Sequence, residues 1–377
     1  MEFNDLLKLM VEKKASDLFI TAGLPPSLKI AGRVLPVTKN KLTADQARQV
    51  VTSIMGPDQL TEFGQTHECN FAISASQIGR FRVSAFYQRS QCGMVLRRIE
   101  THIPTVEELK LPLITQDLAM TKRGMIIFVG ATGTGKSTSL ASMIGYRNQN
   151  STGHIITIED PIEYIHQHSG CIVTQREVGL DTQSFEVALK NTLRQAPDVI
   201  LIGEIRTRET MDYAIAFAET GHLCLATLHA NNANQAMDRI INFFPPERTN
   251  QLFMDLSLNL KAVIAQQLIP TPDGKGRVPA IEMLINTPLV ADKIRAGEVH
   301  ELKEIMKRSR DQGMQTFDQH LFELYKMGQI TYEDALRYAD SANEVRLQAK
   351  LGGDDGADRL AHASDGIMLV EEDVSRR

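Results

Sequence analysis

Cysteine is scarce in this chain. Of 377 residues only four are cysteine: Cys69, Cys92, Cys171 and Cys224. Their spacings match no zinc signature and nothing suggests secretion, so they read as buried or incidental thiols. No apolar run approaches the roughly 20 residues needed to span a bilayer. The N-terminal stretch MEFNDLLKLMVEKK is amphipathic and lacks the pattern of a secretory leader, which points to a cytoplasmic protein. Basic charge is not in excess either. The formal net charge is −5, which argues against a general nucleic-acid coat. Residues 351–377 hold seven acids and three bases, so most of the imbalance sits in the tail. No internal repeat is visible.

What is present is an ordinary globular composition, 42% hydrophobic and 23% charged, long enough for two or three domains. Residues 1–99 read as a small α+β domain. Phe3, Leu6, Leu7, Met10 and Val11 recur at helical spacing. SDLFITAG reads as a strand and PPSLKIAGRVLPV as a hairpin. LTADQARQVVTSIM reads as a helix capped by Thr43, and CNFAIS and GRFRVSAFYQ as half-buried strands. Residues 100–112, polar and bracketed by prolines, read as a connector. From 113 to 286, near-continuous apolar runs alternate with helical patterns. The runs are GMIIFVG, HIITIED, VILIGEI and HLCLATLHA. That alternation predicts a parallel sheet covered on both faces. Residues 287–344 read as helices, and 345–377 as an acidic, disordered tail with one apolar island, IMLV.

The strongest motif is IIFVGATGTGKSTSL. Gly130, Gly135, Lys136 and Ser137 meet the spacing of a phosphate-binding loop between strand and helix. Glycines let backbone N–H groups turn inward, and the helix start adds its dipole. The segment Gly130, Ala131, Thr132, Gly133, Thr134, Gly135, Lys136, Ser137 and Thr138 is thus expected to hold ATP. Lys136 would lie on the β- and γ-phosphates and Ser137 on Mg2+. The strand DVILIGEIR ends in Gly203 and Glu204, where many nucleotide hydrolases have an aspartate. Asp160, Pro161 and Glu163 also fit N-cap, N1 and N3 of a short helix, so Glu163 has a capping reading beside any catalytic one.

Four stretches stand in the order GATGTGKST, TIEDPIEYIH, QAPDVILIGEIR and GHLCLATLHA. Together they resemble the Walker A, Asp, Walker B and His boxes of the secretion ATPase superfamily, the hexameric motors of type II secretion and type IV pili. GRFRVSAFYQ, VLRRI and DQGMQTFDQHLFELYKMGQIT extend the resemblance over about residues 1–340. Within the superfamily the chain is similar to the PilT/PilU retraction branch, and its long acidic tail to the PilU side. It has neither the paired CxxC elements nor the additional N-terminal domain usual in the assembly ATPases. The resemblance implies a PAS-like α+β domain, a RecA-like P-loop core and a C-terminal helical region. It implies Glu163 as general base and Glu204 as a magnesium ligand partly through water. His229 and His222 would sense the γ-phosphate. Arg97 and Arg82 would serve as arginine fingers, with Arg80 and Arg98 as further arginines nearby.

The implied partners are a homo-hexamer, a paralogous retraction ATPase and an inner-membrane pilus platform protein. Nucleic acid and a membrane span are not expected. The implied place is the cytoplasmic face of the inner membrane at the pilus base. Two departures stand out. Phe19 occupies a position where the family frequently has histidine, and LVADKIRAGE (289–298) replaces an AIRNLIRE-type element. The altered 289–298 stretch and the acidic tail leave open a second reading, a nucleotide-binding accessory that stabilises a partner hexamer without turning over.

Overall fold

The computed structural model describes residues 3–30, 32–99 and 102–351. It divides into two compact units. The first is Met1–Ile103 together with Ile158–His168 and Gln175–Ala188; the second is Pro104–Thr157, Ser169–Thr174 and Leu189 onward.

The first unit is built on a six-stranded antiparallel sheet. Its strands are β1 (Asp17–Thr21), β2 (Ser27–Ile30), β3 (Arg33–Pro36), β4 (Glu68–Ala75), β5 (Gly79–Gln88) and β6 (Gln91–Arg98), in the order β3-β2-β1-β6-β5-β4. Three helices accompany it: α1 (Phe3–Glu12), α2 (Ala44–Ser53) and α3 (Pro57–Thr66). The period-2 alternation of β5 buries Phe81, Val83 and Ala85 against Leu7 and Met10 of α1 and Val51 of α2. Thr43 caps α2 through a capping box with Gln46, as its place before an apolar stripe predicts.

A seven-stranded sheet follows: β7 (Gly124–Val129), β8 (Gly153–Glu159), β9 (Cys171–Glu177), β10 (Val199–Ile202), β11 (Leu223–Leu228), β12 (Leu260–Pro270) and β13 (Arg277–Ile285). Its order is β13-β12-β7-β11-β10-β8-β9. The central strands run parallel, β12-β7-β11-β10, and β13 closes one edge antiparallel. Every residue of β7, β10 and β11 is buried, which is why these strands read as unbroken apolar runs.

The helices from 114 to 259 are α4 (Ile114–Ala119), α5 (Lys136–Asn150), α6 (Phe185–Thr192), α7 (Arg208–Glu219), α8 (Ala233–Asn242) and α9 (Thr249–Asn259). Beyond the sheet lie α10 (Pro288–Arg295), α11 (Leu302–Arg308), α12 (Phe317–Lys326), α13 (Tyr332–Tyr338) and α14 (Ala342–Leu351). No helix among the described residues is long and apolar enough to cross a membrane.

Three expectations need correction. Val106 and Leu111, in the stretch expected to be a connector, are buried in the core of the second unit. The tail expected to begin at 345 starts as helix α14, which buries Val345 and Ala349; the IMLV island lies outside the described residues. Pro161 and Glu163 do not open a helix. Ile162 N–H donates to Glu177 and His166 N–H to Gln175, so partners on β9 replace the intrahelical ones. All four cysteines are buried and free.

Candidate nucleotide site

The phosphate loop leaves β7, which is clamped between β11 and β12, and enters α5. Two glycines are obligatory there. Gly130 has φ +152°, and a Cβ would lie 2.6 Å from the Gln266 carbonyl oxygen; Gly135 has φ +87°, and a Cβ would lie 2.8 Å from the Gln266 amide nitrogen. Ala131, Thr132 and Gly133 form the exposed crest, and Thr134 Oγ1 donates to Ala131 O at 2.9 Å. Lys136 is the first residue of α5 and is buried; its Nζ donates to Gly130 O at 2.8 Å and to Ala131 O at 2.9 Å. Burial pushes the Lys136 ammonium below its ordinary value, while the Glu204 carboxylate pulls it back up. Ser137 is exposed on the first turn of α5 and Thr138 is half-buried beside it.

Glu204 follows β10 by two residues. Thr227 Oγ1 donates to Gly203 O at 2.5 Å and Ile205 N–H to Thr227 O at 2.8 Å, so the chain leaving β10 follows the end of β11. That brings Glu204 to His229, whose Nε2 donates to Oε1 at 2.9 Å, while Arg206 Nε donates to Oε2 at 2.7 Å. Lys136, Glu204, Arg206 and His229 thus meet at the carboxyl ends of β7, β10 and β11, where open α/β sheets bind their ligands.

His222 is not part of that cluster. It precedes β11, at the strand's other end, and Leu223 next to it pairs with Gly124 at the start of β7. Its Nδ1 lies 3.0 Å from Thr220 Oγ1 and 3.2 Å from Phe217 O, which ties it to the end of α7.

Gln266, absent from the sequence reading, braces the loop from β12. Its Nε2 donates to Thr134 O at 2.8 Å and its Oε1 accepts from Ser139 Oγ at 2.7 Å, all but sealed from solvent. The pair of amides, Gln266 and Gln267, inside the otherwise apolar VIAQQLI was the available clue. Beside the loop lies a cavity of about 290 Å³, lined by Leu109, Leu111, Leu268, Val278 and Pro279 together with Gly135 and Thr138 of the phosphate loop and α5.

The chain matches the family model "Type II/IV secretion system protein" over residues 3–365. The chain belongs to that family. Among these secretion ATPases it is 72% identical over 369 residues to the type IV pilus ATPase PilU of Pseudomonas aeruginosa, covering 98% of this chain and 97% of that one. It is 39% identical to the type IV pilus retraction ATPase PilT of the same organism, over 89% and 97% of the two chains. The crystal structure of the pilus retraction motor PilT with bound ADP superposes with a TM-score of 0.87 at 39% identity, covering 92% of this chain and 99% of that one. The chain falls in the PilT/PilU branch, nearer PilU, and is a P-loop ATPase that binds nucleotide.

In this secretion ATPase the remaining predicted residues lie in the first unit. Arg97 and Arg82 are register partners on β6 and β5, and Asp17 of β1 pairs with Arg97 on its other side. Asp17, nearly buried, accepts from Arg97 Nε at 2.9 Å, which offsets the repulsion of two arginines placed directly across strands. Phe19 sits two residues on, facing the same side as Asp17. Arg82 also lines a polar cavity of about 300 Å³ with Glu62, Asp160 and Glu177. Burial raises the Glu177 carboxyl, and Arg82 and Arg80 counter it. Glu163 is exposed.

Proposed function

We propose that this chain is an ATP-driven motor of the type IV pilus machinery that serves pilus retraction, as the names of its PilU and PilT relatives suggest. The observation that carries the reading is the meeting of Lys136, Glu204 and His229 at the strand ends beside the glycine loop. Loop N–H groups and Lys136 hold the phosphates, and the apolar cavity beside Gly135 takes the base.

Magnesium suits the donors available. The Ser137 hydroxyl and the Glu204 carboxylate are hard oxygen ligands, and no group of three or more His, Cys, Asp or Glu among the described residues could hold a metal by itself. When bound, the ion neutralises charge on the transferring phosphoryl group. Glu163 acts as the base for the attacking water, and Arg82 and Arg97 supply guanidinium forks to the phosphoryl oxygens. His229, held on Glu204, reports the state of the terminal phosphate; His222, at the far end of β11, is left out of that role.

Six copies form the working ring, together with a paralogous retraction ATPase, on an inner-membrane platform protein at the pilus base. The test is ATP turnover by the purified protein and its Glu204→Gln variant. Loss of about 100-fold or more with nucleotide still bound is expected; equal turnover removes the motor reading. A retraction assay in cells lacking any paralogous ATPase separates an independent motor from an accessory subunit.

A further inference from the structure

A buried acid on β13 anchors the helix that follows His229. Glu282 is almost entirely sealed from solvent, yet its Oε1 accepts the backbone N–H of Ala233, the first residue of α8, at 2.8 Å. Asn232, the N-cap of α8, accepts from Gln235 N–H through Oδ1 at 2.9 Å and donates through Nδ2 to Asp340 Oδ2 at 3.2 Å. Asp340 in turn pairs with Lys303 of α11 at 2.8 Å. Lys303 lies 3.8 Å from Asp318 of α12, a fully buried acid whose Oδ1 accepts from Ser341 N–H at 3.1 Å.

The charged groups acting on Glu282 are thus Lys303 of α11 and Asp340 of the turn before α14, and Lys303 in turn faces Asp318 of α12. Burial, then Asp340, pushes the Glu282 carboxyl up to about 7, opposed by the α8 N–H and Lys303. Three acids around one lysine cost stability that apolar side chains would not. A role outside packing explains their presence.

That role follows from chain length. Between His229 on Glu204 and Asn232–Ala233 on Asp340 and Glu282 stand only Ala230 and Asn231, with no glycine to absorb a shift. We propose that Glu282 is a positioning residue for ATP hydrolysis. It fixes the first turn of α8 and so the approach of His229 to Glu204, and the tie from Asn232 to Asp340 places that approach under the control of the C-terminal helices. The proposal rests on the reading above, in which Glu204 and His229 serve turnover.

Steady-state ATP turnover of the full chain tests it. Glu204→Gln and His229→Ala come first: parental rates in both defeat the underlying reading whatever Glu282 does. With those losses in hand, Glu282→Met, which keeps the shape and removes the acceptor, is expected to lower kcat about tenfold with KM for ATP within about twofold. Glu282→Gln, which keeps an acceptor for Ala233, restores kcat to within about threefold of the parent. Asn232→Ser retains a good N-cap but cuts the tie to Asp340; it is expected to lower kcat about threefold at an unchanged melting temperature. Parental kcat in Glu282→Met, or a loss that Gln fails to rescue, overturns the proposal. If Glu282→Met does not fold, Asn232→Ser decides, and parental kcat there overturns it equally.

Discussion

Replacing Gln266 by leucine tests whether β12 shapes the phosphate cradle. The side chain is 2% exposed and joins the loop, at Thr134 O (2.8 Å), to α5, at Ser139 Oγ (2.7 Å). Leucine fills much of the same volume, so the change is chiefly two lost hydrogen bonds. Each buried polar group left without a partner costs roughly 1–3 kcal/mol. Ser139 sits one helical turn after Gly135, whose carbonyl its hydroxyl can reach, so its share falls at the low end. The sum is about 2–4 kcal/mol. Thr134 belongs to the loop itself, so about 1.4 kcal/mol is expected as weakened nucleotide binding, or about tenfold in Kd. The rest lowers the melting temperature. Titration with a fluorescent ATP analogue, beside a thermal melt, separates the two. Adding Ser139→Ala to the leucine variant removes the stranded hydroxyl and recovers about 1 kcal/mol of stability without restoring affinity. Parental Kd and melting temperature in Gln266→Leu would refute the reasoning.

Three further outcomes are expected. The Glu282 carboxyl, at about 7 in the folded chain against 4.5 ordinarily, favours the native state below pH 4.5 and loses that advantage as pH rises through 7. Glu282→Gln is therefore expected to gain about 3 kcal/mol on the parent between pH 4.5 and pH 8; a melting-temperature difference that is flat with pH contradicts this. Val278→Trp, filling the cavity beside Gly135, is expected to raise KM for ATP about tenfold with kcat retained, and an unchanged KM removes the base from that cavity. Asp17→Asn and Arg97→Ala are expected to lower kcat to similar extents and, combined, to do no more than either alone. Additive losses would show that Asp17 does not act through Arg97.

The fold was legible wherever burial was total. β7, β10 and β11 lie inside the apolar runs, and the capping box at Thr43 opens the helix predicted there. The β12–β13 hairpin was not anticipated, although the Asp273–Gly274 pair between two apolar runs is a turn signal. At the site, the loop and Lys136 could be read because strand–glycine–helix chemistry is local, whereas Glu204 entered through the family resemblance. Gln266, Asp17 and Glu282 could not, because each acts on a residue at least 49 positions away. The helix expected at Pro161 failed for the same reason: side chains of β9 supply the partners that a helix would have drawn from its own backbone.

The division of the chain has a practical outcome. Residues 158–168 and 175–188 cluster with the N-terminal hundred rather than with the sequence on either side of them. Cutting near residue 103 therefore yields neither unit whole: the N-terminal piece loses Glu177 and its neighbours, and the C-terminal piece carries them without their packing partners. Split-protein or domain-exchange work on this ATPase has to move those two stretches with the N-terminal half. An exchange at residue 103 alone would join surfaces from different parents.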